Sequence, residues 1–336
     1  MEKKIKCLSK LFYFSYLQFY KFFIKIFFFL KKHIVLHSSV GTRDYDNVLD
    51  RLNPQIVLEK DEINLGVEEL KKFGLSKNDK FVCFMVRDAK YLNSIFPKTD
   101  WSYWNYRNYD IDKFVLAAEE LTKLGYYVFR MGKITDKKFD TNNKMIIDYS
   151  KSSLKSDFLD IYLGANCEFC LTTDVGYDII PYIFRRPLAS ISDPISLIKF
   201  SSKKFLTIFS QYYSVKEKRN LSLEEIFKKN MAYFFITKDI DSSGIKLIQP
   251  DQNQIRDLAL DMVNHINNNF SLTEEQEAMQ NSFFNIYIKN INSKNFIDDY
   301  KIKMPEEDDY KLHSKYYGRI SPSFLKKIDT QFIIEI

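Results

Sequence analysis

From Lys80 onward the chain alternates short continuous apolar runs with stretches of helical period. "KFVCFMVRD" (80–88) has the length and β-rich composition of a buried strand and ends in Arg87 and Asp88. "YYVFRMG" (126–132), "KMIIDYS" (144–150), "CEFCLTT" (167–173) and "PLASIS" (187–192) read as further strands. Between them "IDKFVLAAEELTKLG" (capped by Asp110, stopped by Gly125), "KSDFLDIYLGAN" and "GYDIIPYIFRR" read as helices. Strand and helix in alternation with short links predict an α/β fold, a doubly wound and mostly parallel Rossmann-like sheet. Upstream, "EKDEINLGVEELKKFG" predicts one more helix, ended by Gly74.

Past Ser192 the pattern loosens. "SLEEIFKKN" carries Ser222 and Glu225 at capping-box spacing, "GIKLIQP" reads as a strand, and "QNQIRDLALDMVNHI" and "LTEEQEAMQNSFFNIYIK" as helices. The long loop "AKYLNSIFPKTDWSYWNYRNYD" (89–110) is too aromatic to be disordered, and loops of this length in compact domains tend to be functional.

The first 32 residues are basic and aromatic. Lys21 and Lys25 interrupt the apolar run, at about 2.5–3.5 kcal/mol each at the centre of a membrane span. Gln18, Lys21, Lys25 and Lys32 share one helical face, so Leu11 to Leu30 is expected to be an amphipathic helix lying on a membrane surface or on the rest of the protein. This divides the chain into the helix at 1–37, a linker and helix at 38–76, and an α/β domain at 77–336.

Charge and cysteine usage narrow the chemistry. A formal net charge of +6 without a zinc-finger or helix-turn-helix pattern gives no case for nucleic acid. Cys167 and Cys170 form a C-x-x-C, but no second pair of ligands stands at metal spacing, so they read as buried structural thiols and no metal is expected. No dinucleotide glycine fingerprint, P-loop, nucleophile elbow or H-E-x-x-H occurs.

In an open parallel sheet, ligands meet the carboxyl ends of the strands. Arg87, Asp88, Arg130, Asp148 and the turn Thr172, Thr173, Asp174, Val175, Gly176 fall at such ends. Arginines and a polar helix start converging there would suit a diphosphate. The plainer alternative is a local Arg87–Asp88 ion pair, a solvated Arg130, and Thr173 or Asp174 as a helix cap.

Six segments, "FVCFMVRDAKYLN", "DWSYWNYRNYDID", "GYYVFRMGK", "MIIDYS", "SDFLDIYLGANCEF" and "TTDVGYDIIPYIFRRP", with the closing "GRISPSFL", resemble in that order a family of bacterial glycosyltransferases of GT-B type. The resemblance runs from about Ser38 to the C-terminus. It implies the nucleotide-sugar-binding half of a two-domain enzyme, with Arg87 as a diphosphate contact and the Thr172–Gly176 turn facing the donor. Asp174 stands where the family more often has a small hydroxyl residue, which directs it to a ribose hydroxyl or a cap rather than to phosphate. The residues before "KFVCFMV" are too few for the acceptor-binding half. The chain then reads as a fragment, a half-enzyme that works with a separate acceptor-domain chain, or a degenerate copy. The implied reaction is cofactor-free transfer from a nucleotide-sugar donor to a cell-surface glycan, in the cytoplasm at the inner face of the membrane. The rival is a noncatalytic nucleotide-binding or interaction module.

Overall fold

The structure is a computed structural model and describes residues 48–198, 201–291 and 317–332. The expected helix at Leu11–Leu30 lies outside the described residues.

Seven strands form the main sheet: β1 (Lys80–Met85), β2 (Tyr126–Arg130), β3 (Ile146–Ile147), β4 (Cys170–Thr172), β5 (Leu188–Ile191), β6 (Phe205–Ile208) and β10 (Arg319–Ile320). Their spatial order is β3-β2-β1-β4-β5-β6 with β10 outside β6. Every pairing is parallel. That is the doubly wound order of Rossmann-like sheets, and its direction reverses between β1 and β4. β7 (Gln211–Ser214), β8 (Arg219–Asn220) and β9 (Ile245–Ile248) make a separate antiparallel sheet.

β1 is continuously apolar because both of its faces are covered. Val82 and Phe84 enter one core, with the helices α3 (Val115–Lys123), α7 (Gln252–Asn267) and α9 (Pro322–Phe332). Phe81 and Cys83 enter the other, with α1 (Lys60–Lys71) and α4 (Asp157–Asn166). So α1, expected within a linker segment, packs on the sheet's helical layer. Cys83, Cys167 and Cys170 all lie in this second core with no exposure, and Cys83 faces Cys170 in register. Burial, then the neighbouring Cys167, pushes the Cys83 thiol up, so Cys83 behaves as a small apolar side chain.

Gly74 and Gly125 stop their helices at φ +87°, as expected. The predicted helix over "GYDIIPYIFRR" is shorter than its pattern. A 3-10 turn, Gly176–Asp178, leads into α5 (Ile179–Ile183), and Arg185 ends it in a left-handed conformation at φ +61°. Within the aromatic loop α2 (Lys90–Ile95) and a 3-10 segment, Ser102–Arg107, form. The remaining helices used below are α6 (Leu223–Lys228) and α8 (Glu274–Ile291). Among the described residues no helix is long and apolar enough to cross a membrane.

Candidate functional site

The loops after β1, β2 and β4 enclose a cleft of about 510 Å³ at the carboxyl end of the sheet, beside the point where strand order reverses. Arg87, Asp88, Val175 and Gly176, four of the residues singled out in the sequence, line it. At Gly176 the space where a side chain would stand is open, so a ligand can approach the backbone there.

Thr172 and Thr173 turn inward. Thr172 Oγ1 donates to Asp178 Oδ1 at 2.6 Å, and the Val175 N–H donates to Asp178 Oδ2 at 3.1 Å. Asp178, rather than Thr173 or Asp174, therefore closes the turn. Thr173 Oγ1 accepts from the Arg87 N–H at 2.8 Å, and the Thr173 N–H donates to the Met85 carbonyl at 3.1 Å. These bonds fix the end of β1 to the end of β4. Asp174 takes φ +54°, and its carboxylate accepts from the Ser192 hydroxyl. Behind it Asp193 is fully buried and accepts from Tyr109 Oη at 2.6 Å and Ser210 Oγ at 2.7 Å; burial pushes its carboxyl up.

Arg130 corrects the expectation of a solvated strand end. It is 1% exposed, and its Nη1 donates to Ser150 Oγ, Lys137 O, Thr135 Oγ1 and, at 3.4 Å, Asp148 Oδ1. It is neither solvated nor turned to the cleft, because the loop after β2 folds over it and needs a donor for its inward-facing oxygens. Asp148, also named from its strand end, is absorbed in the same network. Asp88 accepts from the Lys90 N–H at 2.8 Å and the Asp136 N–H at 3.1 Å, and faces Arg130 at 3.8 Å. The local Arg87–Asp88 ion pair does not form.

Arg87 is held differently. Its guanidinium lies over the Trp104 ring, 5.6 Å from the centroid, and its Nε is buried without a hydrogen-bond partner. Burial, then the neighbouring Arg107 charge, lowers its pKa from the ordinary arginine value. Among the described residues no carboxylate lies within 4.0 Å of either guanidinium. Arg107 Nη2 donates to the Asp174 carbonyl at 2.6 Å, which brings a second arginine from the aromatic loop to the β4 turn. The loop is pinned at its base: Tyr106 Oη donates to Phe235 O and Gln249 Nε2 to Asn108 O. Trp101 stacks on Trp104 at 5.6 Å. Sequence reading marked this loop but not Arg107 or Trp104; a single arginine among seven aromatics was the available signal.

Among the described residues no group of three or more His, Cys, Asp or Glu side chains is arranged to hold a metal ion. Compared with protein-family models, with curated proteins and with solved structures, the chain matches none. Fold and cleft together define an α/β protein of Rossmann-like order with a crevice at the strand switch point, lined by Arg87 and Lys133 and by Asp88 and Asp160.

Proposed function

We propose that this crevice binds the diphosphate of a nucleotide sugar, and that the chain is the donor-binding half of a GT-B-like glycosyltransferase acting on a cell-surface glycan at the inner face of the membrane. One observation carries the reading: Arg87 and Arg107 stand side by side at the β4 turn with no carboxylate between them among the described residues. Two like charges held this way favour a multiply charged anion, and guanidinium forks match phosphate oxygens. As the bond from sugar to phosphate breaks, negative charge builds on the leaving diphosphate, and fixed cations there would stabilise it without a metal.

The test is calorimetric titration, without magnesium, with pyrophosphate and with uridine, guanosine, cytidine and adenosine diphosphates. Arg87→Ala should weaken binding by about 1.5–3 kcal/mol, the worth of a hydrogen bond to a charged group, and Arg107→Ala should act in the same direction. Unchanged affinity in both variants would remove the reading. A noncatalytic module is favoured by one detail: both oxygens of Asp88, a carboxylate in the cleft, accept from backbone N–H groups, which gives it a structural role in holding the loops after β1 and β2 together. A chain that binds nucleoside diphosphates but turns over none of the matching nucleotide sugars, with added glycan or water as acceptor, would be that module.

A further inference from the structure

At the amino end of the main sheet, opposite the cleft, the parallel register Leu188↔Phe205 sets the residues before β5 beside those before β6. Arg185 and Arg186 thereby meet Lys203 and Lys204, and the Leu188 N–H donates to the Lys204 carbonyl at 3.3 Å. Main-chain oxygens hold these side chains, which satisfies donors without cancelling charge. Arg185 Nη1 donates to Ile183 O at 2.9 Å, Arg186 Nε to Ala165 O at 2.7 Å and Lys204 Nζ to Arg185 O at 3.2 Å. Among the described residues none of these cations has a carboxylate within 4.0 Å. Asp50 stands beside them, but its oxygens accept from the Ser202 hydroxyl at 2.5 Å and the Lys203 N–H at 2.9 Å. Burial lowers the Lys204 pKa; Asp50 opposes this, and Arg186, Lys203 and Arg185 add to it.

Apolar side chains flank the charge. Arg185 Nε donates to the Leu52 carbonyl at 3.4 Å, so the segment after Asp50 starts along this patch. Leu52, Ile56 and Val57 in that segment are 51%, 57% and 70% exposed. Aliphatic side chains in water next to clustered cations match a surface that offers anionic headgroups over an apolar interior. A nucleic acid would engage the cations but leave the aliphatic groups wet, and residues 50–57 contain no aromatic ring on which a base could stack. The basic, aromatic first 32 residues lie outside the described residues and join the domain through Val48, two residues before Asp50.

We propose that the amino end of the sheet docks on an anionic phospholipid surface through Arg185, Arg186, Lys203 and Lys204, with Leu52, Ile56 and Val57 entering its apolar layer. Stable attachment to a bilayer takes two signals, and this patch supplies one of them apart from the first 32 residues. Docking by this face deepens the membrane part of the function proposed above and needs nothing of the diphosphate site. The cleft, at the other end of the strands, then opens away from the bilayer toward dissolved ligands.

The experiment floats the whole chain with vesicles of phosphatidylcholine alone, and with about one third phosphatidylglycerol added, at low and high salt. The chain should bind the anionic vesicles, and less so at high salt. Arg185→Gln with Lys203→Gln should bind them at least about tenfold more weakly, since each cation near the surface is worth several-fold. Arg185→Lys with Lys203→Arg should bind like the unaltered chain; a loss as large in this pair would assign the effect to structure and overturn the docking surface. To read which face docks, an environment-sensitive dye is attached at Val57→Cys or at Ser94→Cys, the latter on exposed α2 at the cleft end, with Cys7→Ser in both. The dye at position 57 should shift to the blue on anionic vesicles and the dye at position 94 should not. Equal binding by the Gln pair and the unaltered chain, or equal shifts at the two dyes, would overturn the proposal. So would tighter binding of an RNA or duplex DNA oligonucleotide than of anionic vesicles. Pyrophosphate affinity should be the same in the Gln pair, so a failed diphosphate site and a failed docking surface show up in separate measurements.

Discussion

Arg87 is fixed by an aromatic face rather than by a counter-charge, and this makes Trp104 as important as the arginine itself. A cation over an indole is worth about 0.5–2 kcal/mol, and here it also limits where the guanidinium can point. Trp104→Leu should weaken nucleoside diphosphate binding by about that amount, whereas Trp104→Phe should retain most of it. Both affinities come from the same titration, and a Leu variant that binds as well as the Phe variant would show that the ring only fills space. Arg87 was legible in the sequence because it directly follows an apolar run. Arg107 was not, because its place depends on how a long loop returns to the sheet. Arg130 looked alike on paper; only the loop folded over it separates a buried donor from a ligand contact.

At the scale of elements, α1 and α4 approach so closely that Gly66 has no room for a side chain. A methyl group there would fall 1.9 Å from the Tyr162 ring, and Tyr162 is itself buried. Gly66→Ala should therefore lower stability by about 1–3 kcal/mol despite its better helix propensity, and Tyr162→Leu in the same chain should recover part of it. Thermal unfolding of the three proteins decides the matter; an unshifted melting point for Gly66→Ala would mean that the helices can part freely. Caps and stops were readable from sequence, as Ser222 with Glu225 and Gly125 show. β3 was legible in "KMIIDYS", although only Ile146 and Ile147 pair; β10 was not, since its two residues carry too little pattern and their pairing is imposed by β6. β6 was missed for another reason: "FLTI" runs on through "FSQYYS" into β7 with no glycine or proline to divide them.

For the molecule as a whole, pairs such as Arg219 with Glu225 at the start of α6 link stability to pH. Arg219, and the Ser222 N–H after it, hold the Glu225 carboxyl down from an ordinary 4.5 to about 2. A depressed carboxyl adds stability that is complete above its unfolded pKa and disappears as pH falls from 4.5 toward 2. Glu225→Gln should therefore be the less stable protein at neutral pH, by a margin that exposure and salt keep small, and the two should converge across that acid window. Denaturant titrations at stepped pH measure the gap; a gap that persists below pH 2 would assign it to packing instead.

The placing of β10 also bears on how the chain is made. β6 offers its outer edge to the last strand in the described chain, and Leu206 and Thr207 stay without those partners until Arg319 and Ile320 arrive. During vectorial synthesis that edge, flanked by Phe205, Ile208 and Phe209, is the sticky part of an otherwise assembled sheet. A nascent chain stalled short of Tyr317 would carry it open on the ribosome, inviting either a chaperone or another copy of itself.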